Sequence, residues 1–173
     1  GRAFFKAQLK GNISLREDLI IKEWAFYRNN LSGELIFPSN YDLVVGMFAD
    51  AGSFEKLVLP TNIEEIPGSC FSEVVDCQLN LPSGIKKIGS YAFGSKDVIG
   101  EDENGSYQGP KDTASTLGFS SLVLPNGLEE IGCYAFANCE MSDVQIPESV
   151  RVIEYGAFYS CDTFTEVVLP KHL

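Results

Sequence analysis

The sequence predicts a solenoid of α/β class, in which coils of about 22 residues stack side by side. Each coil is expected to hold a short strand and one or two helical turns. The first observation is the spacing of seven phenylalanines at intervals of 22, 22, 23, 22, 43 and 22 residues: Phe4, Phe26, Phe48, Phe71, Phe93, Phe136 and Phe158. The second is the same spacing of prolines from Pro38 to Pro170. A unit this short cannot bury its own Leu and Phe side chains, so it must stack on similar neighbours.

One template, L-x-L-P-x-x-L-x-x-I-G-x-x-A-F, describes the repeat. Residues 57–71, 79–93, 122–136 and 144–158 match it almost without gaps, residues 13–26 and 35–48 are degenerate copies, and the strand-like start recurs at 167–173. Residues 1–173 therefore form one predicted domain of about six repeats, with partial repeats at both ends. Because Phe4 and Leu173 at these ends do not make polar caps, we expect a fragment of a longer array.

Alternation within one unit predicts which side chains point inward. Leu57 and Leu59 alternate with Lys56 and Val58, so a strand of three or four residues turns its leucines toward the core. Pro60 cannot donate to a strand ladder and ends the strand in a turn. The segment Gly-x-Tyr-Ala-Phe that closes the unit is too short for more than one or two helical turns.

With these motifs the repeat resembles the BspA-like leucine-rich repeat family, whose units read L-x-x-L-x-L-P-x-x-L-x-x-I-G-x-x-A-F-x-x-C. Cys139 and Cys161 occupy the family's Cys position, three residues after Phe136 and Phe158. The resemblance implies a leucine-rich-repeat solenoid, a right-handed horseshoe with a parallel sheet of short strands on one face and short helical turns on the other. It also implies a bacterial cell-surface or secreted protein concerned with adhesion or host contact.

Composition argues against several classes of function. Asp and Glu number 24 against 13 Lys and Arg, and the net charge of -11 has the wrong sign for binding nucleic acid or anionic lipid. No apolar stretch reaches the roughly 20 residues of a membrane helix, so no direct membrane insertion is expected. The only histidine, His172, leaves Ser-His, Cys-His and multi-His zinc chemistry without their central residue. We predict a non-enzymatic chain with no catalytic residue, metal or other cofactor.

The five cysteines are odd in number, which rules out a framework in which every thiol is oxidised. They are Cys70, Cys77, Cys133, Cys139 and Cys161. Cys139 and Cys161 lie 22 residues apart, so they fall in adjacent coils, where a disulfide is one interpretation. The favoured interpretation is that the thiols are reduced and fill small apolar positions in the core.

An insertion at residues 97–116 lengthens the interval between Phe93 and Phe136 and carries five acidic side chains. One hypothesis is a protruding loop that contacts a ligand or calcium. Another is a solvated excursion, and a third is a hidden degenerate coil with Ala114 and Ser115 in the Ala-Phe position. The hidden coil would place Glu101 and Glu103 where every other coil buries leucine.

Two further patterns have both a functional and a structural interpretation. Trp24, Tyr91 and Tyr134 share one repeat position, where they either form an exposed stripe that stacks on sugar rings or cover the Ala-Phe stack. The pairs Glu64-Glu65 and Glu129-Glu130 also share a repeat position. That repetition indicates a solvated face and not a catalytic pair of carboxylates.

The outward positions of the strands form the predicted ligand-binding surface. They are Ser14, Ile36, Val58, Asn80, Val123, Gln145 and Val168, together with Lys56 from the neighbouring row. Strands about 4.8 Å apart make a strip roughly 30 Å long, enough for an extended peptide or a short glycan.

We therefore predict a binding module whose partner is a protein or glycan ligand. The alternatives are a structural spacer without a ligand, whose Ile and Val serve strand propensity alone, and, less favoured, an enzyme. End-to-end self-association through uncapped ends is a further expectation.

Overall fold

The computed structural model describes residues 1–74, 78–95, 100–101, 107–108, 117–118, 122–141 and 143–173. Cys77 and most of the insertion, including Glu103 and Ala114, lie outside the described residues. The strands are β1 (Lys10–Gly11), β2 (Asn30–Ile36), β3 (Gly52–Val58), β4 (Glu65–Ile66), β5 (Gln78–Asn80), β6 (Lys87–Ile88), β7 (Gly100–Glu101), β8 (Tyr107–Gln108), β9 (Leu117–Gly118), β10 (Glu130–Ile131), β11 (Cys139–Glu140), β12 (Asp143–Gln145), β13 (Val152–Ile153) and β14 (Glu166–Val168).

The first sheet takes one strand from each of four successive coils, in the order β1, β2, β3, β5, and every pairing is parallel. Leu35 lies opposite Leu57, and Leu57 lies opposite Leu79, so the same template position meets across each pair. All three leucines are buried. The predicted solenoid of stacked coils, with a parallel sheet on one face, is confirmed.

A second parallel sheet runs along the stack, in the order β4, β6, β10, β13. It is built at the isoleucine of the template, where Ile66 lies opposite Ile88 and Ile88 lies opposite Ile131. These three isoleucines are fully buried. Because each of its strands has only two residues, the sheet depends on regular stacking and not on strand length.

The phenylalanines form a continuous column of rings along the stack, called here the phenylalanine spine. Successive rings lie with centroids 4.9 to 6.4 Å apart and planes within 17° of parallel. These distances match those of favourable offset-stacked aromatic pairs. Phe93 and Phe136 are direct neighbours at 5.5 Å, so the prediction that they belong to consecutive coils is confirmed.

Backbone contacts show that no coil stands between these two phenylalanines. The Phe93 N–H donates to the carbonyl of Ala135 at 3.0 Å, and the Tyr91 N–H donates to the carbonyl of Cys133 at 2.9 Å. The hypothesis of a hidden coil is therefore wrong.

Within the insertion, the described strands β7 and β8 pair antiparallel. The hypothesis of a calcium-binding or ligand-binding loop falls mostly on residues outside the described ranges.

The predicted helical turns are wrong, because the described residues contain no helix. In residues 134–139 every second N–H donates to the next coil, as Phe136 does to the carbonyl of Ala157 at 2.8 Å. The N–H groups between them close tight turns, as Ala135 does to the carbonyl of Gly132 at 3.2 Å. Tyr134 adopts a left-handed conformation at φ 53°, which interrupts any helical run.

Truncation of the spine tests this architecture. Phe136→Ala is expected to lower the free energy of unfolding by about 3 to 5 kcal/mol, because the ring is fully buried and its removal leaves a cavity between two stacked neighbours. Denaturant unfolding followed by circular dichroism measures the loss. Phe4→Ala, at a ring 46% exposed, is the matched control and should cost much less. An equal effect of the two changes would contradict the spine.

Candidate ligand-binding face

Part of the predicted strip is continuous in the first sheet. Ile36 lies opposite Val58, and Val58 lies opposite Asn80, so three outward side chains follow one another across β2, β3 and β5. Ile36 is 47% exposed, Val58 is half-buried and Asn80 is exposed. The buried leucine that precedes each residue, Leu35, Leu57 and Leu79, fixes this orientation, since side chains alternate across a strand.

Lys56 stands beside this row. Its backbone lies opposite Glu34, and its Nζ atom is 4.0 Å from a carboxylate oxygen of Glu34, with both side chains largely exposed. An exposed ion pair at this distance contributes little to stability. Lys56 thus places a cation beside the continuous part of the strip.

The other predicted positions are divided among separate elements. Gln145 and Val168 lie opposite each other in a two-stranded sheet of β12 and β14. Val123 belongs to a segment that forms no strand, and it is 79% exposed. Ser14 is exposed but follows the end of β1. The structure therefore brings together Ile36, Lys56, Val58 and Asn80 in one sheet and Gln145 with Val168 in another.

A cleft that sequence reasoning missed lies at this break. It has a volume of about 460 Å³. It is lined by residues 122–124 and 126 of one coil, residues 143 and 145–149 of the next and residues 168–169 of the third. The only signal in the sequence is that the insertion ends just before Leu122.

The aromatic side chains at the shared repeat position cover the turns of neighbouring coils. Tyr91 stacks on Tyr134 with ring centroids 5.2 Å apart, and Tyr134 is buried. A Cβ atom added to Gly156 would lie 2.6 Å from the ring of Tyr134, and one added to Gly46 would lie 2.4 Å from Trp24. These glycines, both at positive φ, leave the space that the rings fill. The prediction that these aromatic side chains cover the stack is confirmed. The alternative prediction, an exposed stripe that binds sugar rings, is not confirmed.

The outward side of the second sheet carries alternating charges. Lys86 Nζ lies 2.9 Å from a carboxylate oxygen of Glu64, and Lys87 Nζ lies 2.8 Å from one of Glu130. Hydrogen bonding to these carboxylates, followed by their charge, raises the pKa of Lys86 and Lys87 above the usual lysine value. The charges of this face are paired with one another across coils, which is typical of a solvated scaffold and not of a binding site.

Comparison with known proteins identifies the repeat. The family model for the BspA type leucine rich repeat region matches residues 1–99 and 113–173, in six copies. The chain belongs to the BspA-type leucine-rich repeat family. This family consists of repeat-built modules that are generally not enzymes.

A solved structure supports the same fold. The crystal structure of a leucine-rich repeat protein from Bacteroides ovatus ATCC 8483 is similar over 95% of this chain, with a TM-score of 0.53 and 21% sequence identity. The chain spans 34% of the length of that protein's chain. At this identity the similarity concerns the fold alone. No curated protein matches the chain.

At the Cys position of the BspA-type repeat, the side chains of Cys161 and Asn29 donate to the spine. The Sγ atom of Cys161 lies 3.1 Å from the carbonyl oxygen of Phe136, 25 residues earlier. In the degenerate second coil Asn29 replaces the cysteine, and its Nδ2 atom donates to the carbonyl oxygen of Phe4, also 25 residues earlier, at 2.9 Å. Cys and Asn can therefore exchange here because both donate to the phenylalanine of the preceding coil.

Four cysteines are described, and all four are free thiols. Burial raises the pKa of Cys70, of Cys139 and, to about 11, of Cys161. Cys133 is less buried, and its Sγ atom lies 3.1 Å from a carboxylate oxygen of Glu154, which raises its pKa. Raised pKa values keep these thiols protonated and unreactive.

Two features are absent from the described part of the chain. Its His, Cys, Asp and Glu side chains form no group of three or more that could hold a metal ion. It also contains no helix with the length and apolar character needed to cross a membrane.

The buried thiols predict a loss of stability at alkaline pH. Each thiol has a raised pKa in the native state, so its contribution to the free energy of unfolding is complete below about pH 8.5, the pKa of the unfolded thiol. That contribution falls as the pH rises from there and is lost once the pH passes the native pKa. From about pH 8 to 10 we expect a loss of about 2 kcal/mol per buried thiol in denaturant unfolding.

The double variant Cys139→Ala, Cys161→Ala is the control for this pH dependence. This variant should be less stable than the wild type at neutral pH, but its free energy of unfolding should fall less steeply as the pH rises. Equal slopes for the variant and the wild type would show that these two thiols do not cause the loss of stability. Titration of the denatured wild-type chain without reductant should also release all five thiols of the sequence. A count of three would indicate a disulfide.

Proposed function

We propose that the chain is a non-catalytic binding module that contacts a protein or glycan ligand through the strip around Ile36, Lys56, Val58 and Asn80. The observation that supports this most directly is the exposure of Ile36 at the centre of a continuous parallel sheet. An apolar side chain in such a row contributes nothing to the core and is available for burial against a partner.

The contrast between the two sheets supports the same assignment. On the second sheet the outward positions hold exposed Glu64, Lys86 and Glu129, whose charges are satisfied by their neighbours. On the first sheet the corresponding outward row is apolar or uncharged from Ile36 to Asn80. Depletion of charge with exposed apolar groups is typical of the centre of a recognition surface.

The setting proposed for this binding is the bacterial surface or the extracellular space, in adhesion or contact with a host. The support is the membership of the BspA-type family, together with the resemblance described above. A non-catalytic role is supported by the position of the only histidine, His172. Its ring contacts Arg151 and Glu148, both exposed, and none of the four described thiols.

Acidic substitutions on the strip test the proposal. The probes are an immobilised panel of extracellular-matrix proteins and an array of host and microbial glycans. For any probe that binds, Val58→Glu and Ile36→Glu should each weaken binding at least tenfold without changing the circular dichroism spectrum, since a carboxylate would be desolvated at the contact. Ile20→Glu, at a side chain 77% exposed outside the sheets, is the matched control.

Removal of the insertion distinguishes the strip from the loop. A chain lacking residues 97–116 is expected to fold, because Phe93 and Phe136 are in contact without it and a surface loop closes at modest entropic cost. Its binding should equal that of the intact chain. Loss of binding on deletion, with binding retained by both strip variants, would make the loop the site. No binding to any probe would favour the spacer.

A further inference from the structure

The segment 122–124 departs from the regular ladder of the solenoid. Leu122 and Leu124 are buried, as the template requires, and Val123 points outward. Yet among the described residues no hydrogen bond joins the backbone of this segment to β5 in the preceding coil or to β12 in the following one. The equivalent residues of β3 pair with strands on both sides.

The break is local, because the two coils that flank the cleft remain in register elsewhere. Ile131 lies opposite Ile153 in the second sheet, and Phe136 stacks on Phe158 at 5.5 Å. The Phe136 N–H also donates to the carbonyl of Ala157 at 2.8 Å. The coils therefore stay joined at the spine, at the second sheet and through the parallel pair of β9 and β11. Among the described residues, the ladder between them is missing only between residues 122–124 and β12.

The strand β12 presents an open edge to the cleft. The Ile146 N–H donates to the carbonyl of Val168 at 3.0 Å, on the side of β14. Successive N–H groups of a parallel strand point to opposite edges, so the N–H of Gln145 points toward residues 122–124. No described group accepts from it there. A buried backbone donor without a partner is costly, and here the cleft leaves it open to solvent or to a ligand.

The lining of the cleft combines apolar and acidic side chains. Val123, Val168 and Leu169 are exposed along it. Asp143 and Glu148 supply negative charge, and the described lining contains no Lys or Arg. His172 lies 3.7 Å from Glu148, whereas the Asp143 carboxylate accepts a hydrogen bond from the neutral hydroxyl of Thr165, at 2.6 Å. The cleft is therefore complementary to an extended chain that carries positive charge.

We propose that this cleft binds an extended polypeptide segment with basic side chains, which adds a strand at the open edge of β12. A row of backbone N–H and C=O groups is matched by another peptide backbone and not by the irregular hydroxyls of a sugar. Lysine or arginine side chains of the segment meet Asp143, and its apolar side chains cover Val123 and Val168. The inference rests on the proposed function and assigns to the same face a polypeptide ligand and a mode of binding.

The probe is a blocked hexapeptide in which valine and lysine alternate, added to the full chain. Amide exchange and chemical shifts, measured by NMR, report where it binds. We expect a dissociation constant of about 1 mM or tighter, with slowed exchange at the amides of Gln145 and of Leu122 or Leu124. The same peptide with glutamate in place of lysine should not bind, because it would face Asp143 with like charge.

Changes to the backbone and to the charge separate strand addition from loose electrostatic attraction. Two variants of the peptide are N-methylated, one at its odd-numbered and one at its even-numbered residues. Each variant therefore lacks the N–H donors along one of the two edges of the peptide strand. At least one should bind tenfold more weakly. Gln145→Pro, which removes the open N–H, should abolish the protection. Asp143→Asn should weaken binding about threefold, while Glu34→Gln, at the equivalent position of the intact sheet, should not.

The possible results distinguish this inference from the proposed function. Protection confined to residues 34–36 and 56–58 would overturn strand addition at the cleft but leave the strip as a binding surface. Equal binding of the methylated and unmethylated peptides would show that charge attraction alone holds the peptide, and it would also overturn strand addition. No shift at these amides at about 5 mM peptide would exclude it. If Gln145→Pro fails to fold, the methylated pair provides the same test.

Discussion

The contact between one coil and the next is the interaction on which the rest of the structure depends. A coil of 22 residues has no interior of its own, so its Phe ring, its Leu and Ile side chains and half of its turn N–H groups all find partners in a neighbour. The ring of Phe136 illustrates this, because it is fully buried between Phe93 and Phe158 and not within its own coil. Stability is therefore a property of interfaces and is shared along the stack.

This dependence explains which parts of the fold could be predicted from the sequence. The spacing of phenylalanines records the repeat directly, so stacking and the adjacency of Phe93 and Phe136 followed from it. The helical turns were wrong because local composition says nothing about where an N–H donates. In Gly-x-Tyr-Ala-Phe the next coil accepts the N–H groups of the Tyr and the Phe. The left-handed φ of Tyr134 is also contrary to the intrinsic preference of tyrosine, and only neighbouring coils stabilise it.

The candidate site shows the same division between local and non-local information. Alternation of side chains is a local property, and it predicted correctly that Ile36 points outward and that Leu35 is buried. Continuity of the strip requires strand pairing between coils. The sequence around Val123 matches the template fully, so it gives no sign that this pairing is missing there. The cysteines were predicted to fill small apolar positions in the core. The donation of Cys161 and Asn29 to a phenylalanine carbonyl became visible only with the preceding coil in place.

The alternation of charge on the second sheet limits how the array can change length by recombination. Going up the stack, Glu64 is followed by Lys86, then Glu129, then Arg151, each adjacent through backbone hydrogen bonds. Loss of the single coil that holds Lys86 would place Glu64 beside Glu129, and like charges directly opposite each other destabilise a sheet. Loss of two coils would place Glu64 beside Arg151 and keep the alternation. Removal of two neighbouring coils should therefore disturb the charge pattern of this face less than removal of one.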